Sequence, residues 1–186
     1  MDTLIEVAEL ASLIERNAVV VFDCRFALTD PAAGRTAYHH AHIPGAHFVD
    51  MNRDLSVPHV PGKTGRHPLP PKAEWIARVQ AWGLEPDVQV ALYDDNGGAS
   101  AARMWWMLQW IGHKNAAVLN GGLQAWTAAG LPLTSDVPAS RAPSTFDYSS
   151  LRSPAVLVMA SQIDGRNQHL LDARDPPRFR GEVEAI

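Results

Sequence analysis

A residue that accepts a chemical group and passes it on needs a thiol, hydroxyl or amine with a base or cation beside it. The sequence offers one thiol, Cys24, set between Asp23 and Arg25. Arg25 favours the thiolate and Asp23 opposes it. No partner base accompanies it, and the apolar run before it predicts a small buried side chain rather than a nucleophile. A single cysteine also excludes an internal disulfide and a cysteine-rich metal centre. His39, His40 and His42 lie close together, but their spacing has no carboxylate or thiol in support, so no metal site is expected. What remains is a carboxylate–guanidinium pattern, Asp23-Cys24-Arg25, which suits a tie between a strand and the loop after it. It recurs as Asp172-Ala173-Arg174.

The elements that must position these groups follow from periodicity. Leu10, Leu13 and Ile14 are spaced for a helix over Val7 to Arg16. Ala18 to Phe22, Val88 to Tyr93 and Ala116 to Leu119 are continuous apolar runs, predicting strands buried on both faces. A further short strand is expected at His47 to Asp50, after a polar stretch that reaches Ala41. Helices are expected at Lys72–Trp82, Ser100–Ile111 and Leu123–Ala129, each ended by a glycine. In the second of these, Trp105, Trp106, Leu108, Trp110 and Ile111 should lie largely inside. Residues 52–71 form a proline-rich loop, long enough to suggest function. Strands alternating with helices predict an α/β fold, a five-stranded mainly parallel sheet with helices on both faces.

With 46% hydrophobic and 19% charged residues, the composition is that of a soluble globular protein. The formal net charge of −4 leaves no footprint for nucleic acid or an anionic membrane. No apolar run approaches the roughly 20 residues needed to cross a bilayer. The first ten residues carry three acidic side chains and no basic one, unlike a secretory signal, so a cytoplasmic protein is expected. Residues 134–154, rich in Pro, Ser and Thr, predict a linker between a domain at 1–133 and a restart at 155–186. Asp23-x-Arg25 and Asp172-x-Arg174 stand a domain's length apart, and Glu15-Arg16-Asn17 resembles Gly165-Arg166-Asn167. Val156 to Met159 is apolar, and Ala160 to Asn167 predicts a helix. The second copy is too short to bury a core, so it is expected to be the start of a longer domain.

Four segments carry a family likeness. Phe22-Asp23-Cys24-Arg25, Ala41-His42-Ile43-Pro44-Gly45-Ala46, Gly65-Arg66-His67-Pro68-Leu69-Pro70 and Leu119-Asn120-Gly121-Gly122-Leu123-Gln124-Ala125-Trp126 occur in the order and spacing of rhodanese domains. Arg103-Met104-Trp105-Trp106-Met107 is similar to the first domain of tandem thiosulfate and 3-mercaptopyruvate sulfurtransferases. The resemblance implies a persulfide-forming cysteine at the head of a short loop, whose backbone N–H groups form a nest for the anion. At that place this chain has Asp94, so its first domain resembles the inactive type. The nucleophile is then expected in the second domain.

The resemblance further implies that Arg178 grips the anionic donor, as guanidinium suits oxyanions. A solvated loop arginine is the plainer reading. Arg66 and His67 are placed where they help hold the same substrate, or, for His67, where it bonds loop backbone. The implied partners are a small anionic sulfur donor, a thiol or cyanide acceptor, and the chain's own second domain, with no bound cofactor. The competing reading is a stand-alone inactive module that binds a protein or an anion. A phosphatase of related fold would need Cys-x5-Arg, which the sequence lacks.

Overall fold

The computed structural model describes residues 3–163, 165 and 169–183. The chain divides into two units, residues 1–155 and 156–186. In the first, the continuous apolar runs become the centre of the sheet. Val20–Asp23 (β2), Val90–Tyr93 (β4) and Ala116–Leu119 (β5) are buried at every position, the only stable placement for strands with no polar face. Leu4–Ile5 (β1) and Ala46–Phe48 (β3) are the edges. The order is β1-β5-β4-β2-β3 and every pairing is parallel.

Side chains alternate between the two faces. Val20, Phe22, Val90, Leu92 and Val118 meet Trp75 and Val79 of α3 (Lys72–Ala81) and Met104, Met107 and Leu108 of α4 (Ala99–Trp110). Val21, Ala91, Tyr93, Ala117 and Leu119 meet Leu10 and Leu13 of α1 (Val7–Glu15) and Trp126 of α5 (Gly122–Ala128). Helices therefore cover both faces, as an α/β sheet requires.

Three expectations change. The polar stretch before Ala41 contains a helix, α2 (Ala33–His40). The edge strand β1, too short for any alternation signal, pairs Leu4 with Val118. On α4 the buried stripe is Ala101, Met104, Met107, Leu108 and Ile111, while Trp105, Trp106 and Trp110 are only half-buried. Trp106 and Trp110 stack on each other at 5.8 Å.

Residues 134–154 lie as a strap on the first unit. Ser144 N donates to Gln80 O at 2.8 Å, and Gln80 Nε2 donates to Phe146 O at 2.9 Å. Tyr148 is fully buried and its hydroxyl lies 3.2 Å from His113 Nδ1. Burial holds the His113 imidazole below its ordinary value of 6.5, against the opposing pull of the Val88 and Asn115 carbonyls and Asp87. The folded state thus disfavours a proton that the unfolded chain takes up below that value, so stability falls as pH drops below it. We expect the denaturant midpoint to fall between about pH 8 and about pH 5.5, and His113→Phe to flatten that fall. His47 and His67, also lowered chiefly by burial, leave a residual slope of the same sign.

In the second unit, the described residues include a turn of 3-10 helix at Ala160–Gln162 and a single helical turn, α6 (Pro176–Phe179). Val156 to Met159 carries no regular structure. The helix expected over Ala160–Asn167 is only the 3-10 turn at Ala160–Gln162, because Ile163 is already extended. Arg166 and Asn167, part of the repeat match, lie outside the described residues.

Candidate functional site

The strand order reverses between β2 and β4, and the carboxyl ends of diverging parallel strands are where such sheets place sites. Two charged groups stand there. At the end of β2, Arg25 grips Asp23 with Nε at 3.0 and 2.9 Å and Nη2 at 2.6 Å. The Tyr93 hydroxyl donates to Asp23 Oδ2 at 2.7 Å, and the Arg25 guanidinium donates to Ala41 O at 2.7 Å. All three side chains are buried or nearly so. Burial and the Asp23 charge push the Tyr93 hydroxyl far up, so it stays protonated. This tie fixes strand to loop, as the residue pattern predicts, and engages both oxygens of the carboxylate.

At the end of β4, Asp94 is fully buried. Its Oδ1 accepts the N–H groups of Asn96 at 3.1 Å and Gly98 at 2.8 Å. Its Oδ2 accepts those of Ser100 at 2.8 Å and Ala101 at 2.9 Å. Gly97 and Gly98 both take positive φ, 78° and 87°, which turns the chain so that these donors converge. Two of the four donors belong to the first turn of α4, whose dipole favours negative charge at that end. The loop is an anion nest, and the chain's own carboxylate fills it. Gly122 packs on the same turn; a Cβ there would lie 2.5 Å from Asp94 O.

The single thiol has none of this assistance. Cys24 is buried, its Sγ 3.9 Å from Met104 Sδ. Burial first, then the charges of Asp23 and Asp94, push the thiol well above its ordinary value. Both effects favour the neutral thiol, the less nucleophilic form.

The long loop comes to the same end of the sheet. Arg103 of α4 reaches out to donate to Leu55 O at 2.7 and 3.1 Å, to Ser56 Oγ at 3.3 Å and to His67 O at 2.9 Å. Both limbs of the loop are thereby held to one guanidinium, a role the sequence reading missed. His67 Nε2 lies 3.1 Å from Asn52 Oδ1, and its ring meets Phe26 edge-on. Burial, then Arg103 and Arg66, hold its imidazole below the ordinary value. Arg66 is exposed. His42 is buried, its Nδ1 2.7 Å from Tyr38 O and its Nε2 3.2 Å from Asp136 O. His39 and His40 are exposed, and among the described residues no group of His, Cys, Asp and Glu could hold a metal ion.

In the second unit, Arg174 grips Asp172 with the geometry of the first copy: Nε at 3.0 and 2.9 Å and Nη2 at 2.6 Å. The Arg174 bonds draw the Asp172 carboxyl down to about 2. Unlike the first copy, this pair is part-exposed, with side-chain accessibilities of 45% and 30%. Arg178 is half-buried on α6.

A family model described as the rhodanese-like domain matches residues 6–129. A Pseudomonas aeruginosa protein named "Probable 3-mercaptopyruvate sulfurtransferase" is 50% identical over 98% of this chain and 65% of its own length. A thiosulfate sulfurtransferase of Azotobacter vinelandii is 32% identical over 98% of this chain and 63% of its own. The chain spans less than two thirds of either relative. Among solved structures, the 3-mercaptopyruvate sulfurtransferase SseA of Escherichia coli matches with a TM-score of 0.80 and 26% identity, over 100% of this chain and 71% of that one. That of Leishmania major matches with a TM-score of 0.70 and 37% identity, over 78% and 40%. No helix among the described residues is long and apolar enough to cross a membrane.

Proposed function

This chain belongs to the rhodanese-like domain family, and on that footing we propose that its first unit is the non-catalytic domain of a cytoplasmic sulfurtransferase whose reactive cysteine lies in a second domain outside residues 1–186. The full protein moves a sulfane sulfur from thiosulfate or 3-mercaptopyruvate to a thiol or cyanide. The thiolate of that cysteine attacks the donor sulfur and forms a persulfide as sulfite or pyruvate leaves; the acceptor then takes the outer sulfur. Arg178 binds the donor's oxyanion in the second unit. Within the first unit, Arg66 and His67 are side chains assigned to hold an anion.

One observation carries this reading: Asp94 occupies the nest that an active domain keeps for its thiolate and persulfide. A nest filled from within has no vacancy for a second anion, and the burial of Cys24 leaves no other thiol in reach. The repeated Asp-x-Arg tie in the second unit supports a second domain of the same kind.

The test is a transfer assay with each donor and cyanide. Residues 1–186 should give no thiocyanate above a Cys24→Ser control. A longer form of the protein should turn over, and Arg178→Ala in it should raise the donor KM by about tenfold, the value of one lost charge-assisted bond. Persulfide on Cys24 with matching turnover would refute the assignment. An inactive longer form would favour the binding module instead.

A further inference from the structure

We propose that the groove at the amino ends of β2, β3 and β4 binds a small organic anion, its oxyanion held by Arg141, His47 and Asn17 and its apolar part resting on Ile14, Val19 and Pro44. The inference is independent of the sulfur-transfer reading. Two adjoining hollows form the groove, of about 250 Å³ and about 300 Å³, and both are lined by Asn17, Val19, Val20 and Arg141. The first adds Pro44 and Gly45, which lead into β3, and the second adds Val88 and Gln89, which lead into β4. The groove is therefore at the opposite end of the sheet from Asp94.

Asn17, His47 and Arg141 all line the first hollow. Among the described residues, the Asn17 side-chain amide and both His47 ring nitrogens have no hydrogen-bond partner, and the Arg141 guanidinium commits only Nε, to Gly83 O at 3.4 Å. The strap brings Arg141 there. It crosses Gly83 so closely that a Cβ on that glycine would lie 2.4 Å from Ala142 O and 2.9 Å from Arg141 Cβ. Asn17 ends α1 at a φ of 52°, in the left-handed region where glycine is usual; asparagine tolerates it and adds an amide.

The charges of this hollow are unbalanced. The His47 ring packs on uncharged Phe22, with centroids 5.8 Å apart, and the charge acting on it is that of Arg141. Burial, then that charge, hold the imidazole below its ordinary value. No carboxylate is among the lining residues to offset the two, so an anion supplies what is missing. Asp87 lines the second hollow and confines an anion to the β3 side. Ile14, Val19, Pro44 and Pro138 are only part-buried, which leaves apolar surface for the rest of the ligand. One bound molecule then joins the turn after α1, strand β3 and the strap.

Benzoate titrated into the 186-residue chain should give saturable shifts of the His47 ring signals in NMR, while those of the exposed His39 and His59 stay in place. Benzyl alcohol, its neutral counterpart, should bind about tenfold more weakly, the worth of one charge-assisted contact. Inorganic phosphate should also bind more weakly, since it leaves the apolar wall uncovered. Protonated His47 adds a second cation. Benzoate affinity should therefore fall several-fold as pH rises from about 5.5 to about 8, and the His47 titration should move upward in saturating benzoate. Arg141→Gln, at an exposed strap position, should fold as the parent does and weaken binding about tenfold. Arg53→Gln, exposed beyond the far end of β3, should change nothing. The proposal is overturned by the absence of saturable binding, by benzyl alcohol or phosphate binding as well as benzoate, by a His47 titration that benzoate leaves unmoved, or by equal effects of the two arginine variants.

Discussion

Asp94→Ala is expected to lower folding stability by about 3–5 kcal/mol, the cost of orphaning buried N–H donors less what water recovers. That is a large share of the ~5–15 kcal/mol that holds a typical domain together. The substitution removes a buried carboxylate and leaves four inward-facing N–H groups with no acceptor. Each such orphan costs about 1–3 kcal/mol unless water reaches it. Urea unfolding is the direct measure. Asp94→Asn should fall between, because one amide oxygen can serve two of the donors while its NH2 faces the other two. A second readout addresses the nest itself. Inorganic phosphate should raise the midpoint of Asp94→Ala more than that of the parent at matched ionic strength, since only the variant has a vacancy for an oxyanion. A variant as stable as the parent, or one with no extra response to phosphate, would mean that the nest does not act as a unit.

Arg25→Met carries the other large effect. The methionine keeps much of the side-chain volume but withdraws the bonds that offset a fully buried Asp23 carboxylate, leaving the Tyr93 hydroxyl and the Arg25 backbone N–H. Breaking one side of a buried pair costs about 3–5 kcal/mol. Removing the charge as well, in Asp23→Asn with Arg25→Met, should recover much of the loss. Equal stability of the single and double variants would place the cost elsewhere, in the lost bond to Ala41 O.

The parts of this fold that were legible are those where composition alone forces an outcome. A run such as Val90 to Tyr93 has no polar face, so it can only be a covered strand. Helix α2 was illegible because it buries Gly34 and Tyr38 rather than an apolar stripe. A Cβ on Gly34 would sit 2.0 Å from Arg25 O, so the helix is seated by the lack of a side chain, which leaves no periodic signal. The tryptophans of α4 misled for the opposite reason. That helix is apolar on most sides, and residue size suggested a core that the Met104, Met107, Leu108 and Ile111 spacing in fact supplies. At the site, the sequence gives Asp94 its place and its charge but not its partners. An aspartate followed by Gly-Gly and a helix is a signal for a carboxylate that caps from a distance, and it becomes readable once the two positive φ angles are known. Arg103 carries no local mark, because its partners lie 36 to 48 residues away in sequence.

The pairing of β1 with β5 has a kinetic consequence. Thr3 O and Ile5 O receive N–H groups from Val118 and Asn120, so β1 meets its partner strand only after residues 116–120 have been made. On the ribosome, the sheet has to wait for residue 120 to emerge before that edge can close. Until then Leu10, Leu13 and the inner face of β2 have only an unfinished wall to rest on. Closing so long a loop defers the reward for the entropy spent, a recipe for slow maturation and a long window in which chaperones can intervene.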